Sequence, residues 1–81
     1  MNAILEAARL QGDAAITRRA MAYCGPKRVH LWELATGEVI LLMHTRPGGF
    51  SQPVKLQQPI EIVVDRFREK RGHRVVTPHV I

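Results

Sequence analysis

Residues 66–74 of this 81-residue chain read Arg66, Phe67, Arg68, Glu69, Lys70, Arg71, Gly72, His73 and Arg74. Five of the twelve Lys and Arg residues fall here, against one of the seven acids, so most of the formal net charge of +5 lies at the C-terminal end. A cluster of this kind can neutralise phosphates, with binding that weakens as salt rises, or meet an acidic protein surface. Arg66, Lys70, Arg71, His73 and Arg74 are therefore candidate binding residues, forming a basic corner around Gly72. A second candidate is the segment Arg46-Pro47-Gly48-Gly49-Phe50, where an arginine beside a loop aromatic could stack on an unpaired base.

The residues that could do acid–base or metal chemistry are sparser. The four histidines are His30, His44, His73 and His79, and the one cysteine is Cys24. None of them shows the short paired spacing of a zinc-binding motif, so no metal and no cofactor is expected. Tyr23, His44, His73 and Arg74 are candidates for proton transfer and phosphate clamping in a small ribonuclease-type toxin. No glycine-rich phosphate loop and no Ser–His–Asp or Cys–His arrangement is legible. A non-enzymatic binding protein is the leading expectation.

One cysteine excludes an intramolecular disulfide, and a reducing cytoplasmic setting fits that usage. The longest aliphatic run, Val39–Met43, is far shorter than the ~20 residues of a membrane-spanning helix, so no membrane partner is expected. Glu6 and Arg9 interrupt the N-terminal apolar pattern, which is unlike a signal peptide. The length suits a single domain over 1–81 with a modest core.

The elements that must position these residues are read from periodicity and punctuation. Residues 2–11 carry a helical apolar side at Ile4, Leu5 and Ala8. Gly12-Asp13 would then break and cap a second helix, from Ala14 to about Cys24, stopped by Gly25-Pro26. That helix pair has the outline of a helix-turn-helix, but Arg18 stands where the second helix needs an apolar residue. A β-hairpin is expected at about 28–44. With Thr36-Gly37 as a two-residue turn, Leu34 pairs with Val39, Trp32 with Leu41 and His30 with Met43.

In that register the second strand is apolar on both sides and needs cover on both. Val29, Leu31, Ile40 and Leu42 are accordingly expected at a homodimer interface, the alternative cover being a second sheet layer folded over the hairpin. Residues 46–58, punctuated by glycine and proline, read as a flexible loop. Ile60, Val63, Val64 and Phe67 then fall at i, i+3, i+4 and i+7, the stripe of a third helix over about 59–71. A hairpin through Lys70–His73 is the competing reading. A C-terminal strand follows from His73, with Pro78 marking an edge. The expected architecture is a small α+β domain of order ααββαβ.

Three functions compete on this reading. The first is a small basic protein that contacts nucleic acid through the basic corner. The second is a protein-interaction module, an inhibitor or regulator docking on a larger protein. The third is the ribonuclease-type toxin.

Overall fold

The run Val39–Met43 is apolar on both sides; the fold buries Val39, Ile40 and Leu42 completely and leaves Leu41 and Met43 half-buried. The computed structural model describes residues 3–45 and 49–81. Its elements are α1 (Ala3–Gln11), β1 (Ile16–Cys24), β2 (Lys27–Leu34), β3 (Val39–Thr45), β4 (Val54–Leu56), α2 (Ile60–Arg68) and β5 (His73–Val80). The strands form one antiparallel sheet in the order β4-β3-β2-β1-β5. The domain is α+β, but its order is αββββαβ and the described residues hold two helices, which corrects the expected ααββαβ.

The correction comes from residues 14–24, which form β1 instead of a second helix. Ala20 and Ala22 are buried while Met21 and Tyr23 between them are half-buried, a period of two and not of 3.6. Alanine favours a helix in isolation, but here tertiary packing decides. Gly25-Pro26 does not stop a helix. It is the two-residue loop of the β1–β2 hairpin, with Cys24 facing Lys27 and glycine at φ +65° in the first central position, as a type II′ turn requires.

The β2–β3 hairpin lies where expected, but its register differs by one residue. Trp32 pairs with Ile40 and His30 with Leu42, because Ala35-Thr36-Gly37 forms a three-residue loop with Gly37 at φ +91°. The Leu34 amide donates to the Glu38 carbonyl at 2.8 Å across this loop. A one-residue slip turns every side chain of one strand to the other face. Val29, Leu31 and Val39 therefore lie beneath α2, packed with Ala20, Ala22, Ile60, Val63 and Val64. Leu34 and Ile40 point to the opposite face, where Ala7 and Leu10 of α1 cover them.

The four residues expected at a dimer interface are thus split between the two faces. Val29 is 4% exposed, and Leu31, Ile40 and Leu42 are fully buried. Burying each side chain contributes about 1.5–3 kcal/mol to this chain's own core. The apolar residues of β3 on the face away from α2, Ile40 and Leu42, are thus covered within the chain.

α2 crosses from one edge of the sheet to the other, carrying the chain from β4 to β5. Pro59 caps it in an extended conformation, and Ile60, Val63 and Val64 are its buried stripe. It ends at Arg68, and Gly72 at φ +79° then turns the chain into β5. The segment read as a flexible loop contains β4, and Phe50 bridges to His44 of β3. No helix among the described residues is long and apolar enough to cross a membrane.

Candidate nucleic-acid interface

α1 covers only one end of the sheet face opposite α2, around Leu34 and Ile40. The strand register organises that face into rows, two of which end on β3 at fully buried residues, Leu42 and Ile40. One row runs Arg74, Tyr23, Arg28, His44, Phe50, each residue the partner of the next, across β5, β1, β2, β3 and the segment before β4. Cations and rings alternate along it. The second row is Val76, Met21, His30 and Leu42, and the third is His79, Arg19, Trp32 and Ile40. At about 4.8 Å between strands the first row spans about 19 Å, and successive rows lie about 7 Å apart.

The side chains on these rows are in contact. The Arg74 guanidinium lies over the Tyr23 ring, 4.5 Å from its centroid. His44 stacks on Phe50 at 4.6 Å between centroids, and the His30 ring lies 6.3 Å from that of His44 and 6.0 Å from Trp32. Arg19, Met21, His30, Trp32, Val76 and His79 line a depression of about 340 Å³ on the same face. Burial holds the His30 imidazole below its ordinary pKa, helped by His44, Arg28 and Arg19. His30 and His44 share this face; pairing His30 with Met43, as expected from a two-residue turn, would have put them on opposite faces.

The three rows contain no acidic residue. Four of the seven acids belong to the other side of the sheet. Glu33 of β2 and Glu61 of α2 both hold Arg18, at 2.5 and 2.7 Å, which clamps α2 to the sheet. The same contacts raise the Arg18 pKa, through Glu33 first, and lower that of Glu61, chiefly through Arg18. Asp65 meets Arg68 at 3.5 Å, and Glu69 caps the C-terminus of α2. Arg19, Arg28 and Arg74 form no ion pair within 4 Å among the described residues.

The fold divides the residues singled out in the sequence. Arg74 and Phe50 lie at the two ends of the first row. Arg66, Lys70 and His73 lie on the α2 side: Arg66 donates to the Gln58 side chain at 3.1 Å, and Lys70 sits 5.9 Å from the Phe67 ring centroid. Arg71 is exposed in the turn after α2, and Arg46 falls outside the described residues.

The ribonuclease candidates separate as well. Tyr23, His44 and Arg74 share the open face, whereas His73 is on the other side with its Nδ1 3.4 Å from the Cys24 Sγ. Tyr23 and His44 are two strands apart, about 10 Å, with Arg28 between them. Among the described residues no three His, Cys, Asp or Glu side chains come together as a metal site.

Arg19, Arg28 and His30 were not foreseen as site residues, and Trp32 reads from sequence as core. They are scattered over β1 and β2, and no spacing in the chain joins them to Arg74 or Phe50. Only the strand register does so, and it could be found once β1 is read as a strand of alternating small and large residues. No protein-family model, curated protein or solved structure matches this chain.

Proposed function

We propose that this protein binds single-stranded nucleic acid on the open face of its sheet. The observation that carries the proposal is the row Arg74–Tyr23–Arg28–His44–Phe50, in which rings and unpaired cations alternate across the sheet. Exposed aromatic side chains on a flat sheet stack unpaired bases, two or three at a time, and each such contact is worth about 1–3 kcal/mol. The arginines between them neutralise the phosphates that link those bases. Stacking of this kind needs unpaired bases, which a single strand offers and a duplex does not. Of the sequence's acid–base candidates, His73 is on the other face and Tyr23 and His44 are separated by Arg28, so the reading is a binding protein.

The test is fluorescence anisotropy with labelled oligo-uridine and oligo-thymidine of about ten nucleotides, compared with a duplex, at about 50 mM salt. Single strands should bind more tightly than the duplex and quench Trp32. Tyr23→Ala and Arg74→Ala should each weaken binding, the tyrosine change by about 1–3 kcal/mol. Arg68→Ala, on the α2 side, should leave it unchanged. Absence of binding at this salt, or equal weakening by all three substitutions, would remove the proposal.

A further inference from the structure

α2 covers only part of its own face of the sheet. It packs mainly on β5, β1 and β2, reaches β3 at Val39, and leaves the rest of β3 and β4 beside it. Leu41 and Met43 of β3, Leu56 of β4 and Phe67 of α2 are consequently half-buried, at the margin of the core, and Val54 is 48% exposed. Leu41, Met43, Val54 and Phe67 line a groove of about 570 Å³, with Ser51, Gln52 and His73 beside them. Lys27 and Lys70 line its rim, and no acidic side chain lines it. Neither of these two cations forms an ion pair within 4 Å among the described residues. The groove is thus apolar along its floor and cationic along its edge.

Its dimensions and charge select an occupant. Two strands at about 4.8 Å spacing expose a strip about 10 Å wide, the diameter of one helix with its side chains. The neighbouring strip, over β1 and β2, is closed by α2 in this way. Sheets in small layered domains are covered by helices whose apolar stripe faces them. We infer that this groove receives an amphipathic helix of a partner protein, with its apolar stripe on Leu41, Met43 and Phe67 and acidic residues against Lys27 and Lys70. A second copy of this chain is a poorer match. The exposed apolar pair on α1, Ile4 and Leu5, is followed by one carboxylate, Glu6, which Arg9 already holds at 2.8 Å. This site lies on the face opposite the nucleic-acid rows and does not depend on them.

The probe is a synthetic helical peptide of about four turns, with leucines along one side and glutamates flanking them. Its partner in the comparison carries lysines in place of the glutamates. Backbone and methyl NMR spectra of the full chain should show the acidic peptide shifting Leu41, Met43, Leu56 and Phe67. The lysine peptide should not bind. Val54→Asp and the double change Lys27→Glu with Lys70→Glu should each weaken the acidic peptide at least about tenfold, a loss of about 1.4 kcal/mol. Single-stranded oligonucleotide should not displace it. Equal binding of both peptides, no binding at millimolar peptide, or displacement by oligonucleotide would overturn the inference. So would a chain that sediments as a dimer and becomes a monomer on Val54→Asp, because a second copy would then fill the groove.

Discussion

His30 lies between the rings of Trp32 and His44 in the half-buried part of the open face, and burial lowers its pKa. Burial, followed by His44, Arg28 and Arg19, keeps its imidazole neutral at pH values where an unfolded chain would protonate it. The sign follows from linkage. His30's contribution to stability is complete above the ordinary histidine value of about 6.5 and is lost as pH falls through the lowered folded value. A phosphate brought against the face reverses the balance by favouring the imidazolium. Affinity for a single strand should therefore rise as pH falls below about 6.5, and binding should take up a proton. Titrating the His30 ring resonance with and without oligonucleotide checks this. The midpoint should move upward in the complex, and His30→Gln should flatten the pH dependence of affinity. An unchanged midpoint would mean that no phosphate approaches this ring. At this scale the sequence exposed the amount of charge but not its placement. The run at 66–74 drew attention, yet Arg66 is engaged by Gln58 and Arg68 by Asp65. The cations without ion pairs on the aromatic face are Arg19, Arg28 and Arg74, which come from three strands.

β1 decides the character of the sheet, because it stands between β2 and β5 and supplies the two alanines of the core beneath α2. Ala20 and Ala22 lie under α2 and are almost completely buried, so the helix rests close against the strand. Ala22→Leu should overfill this layer and cost about 1–3 kcal/mol, lowering the denaturation midpoint. Met21→Leu, half-buried on the open face, should change stability by less than about 1.5 kcal/mol. A smaller loss for Ala22→Leu than for Met21→Leu would contradict the packing of α2 described above. The same strand shows where the sequence stops being legible. The span of the β2–β3 hairpin and of α2 could be read because turn residues bound the first and a 3.6-residue stripe marks the second. β1 could not, since alanines favour a helix and Gly25-Pro26 serves equally as a helix stop or a hairpin turn. β4 is three residues long, too short to show a period. The hairpin register hung on whether Ala35 belongs to the strand or the loop, and that single residue reassigns both faces.

Across the whole molecule the sheet separates two kinds of surface. One face carries rings and unpaired arginines with no acid in its rows. The other carries α2, the Arg18–Glu33–Glu61 clamp and the apolar groove. The β5 edge is long, but Pro78 removes a ladder donor and the pairing with β1 shifts register between Arg19 and Met21, two devices that blunt edge-to-edge association. Binding should therefore depend on one face of a single chain, and salt reports which face it is. Each phosphate neutralised on a single strand contributes about −0.7 to the slope of log affinity against log salt. Arg19, Arg28 and Arg74 together predict a slope of about −2 over about 50–300 mM salt. Replacing any one of them with alanine should reduce its magnitude by about 0.7, whereas Lys70→Ala and Arg71→Ala should leave it in place. The opposite pattern, a slope carried by Lys70 and Arg71, would move the contact to the corner after α2 and leave the aromatic rows without a phosphate partner. A slope near zero with tight binding would mean that stacking alone holds the ligand. The three arginines would then serve to keep their neighbouring rings in place, as Arg74 does over Tyr23.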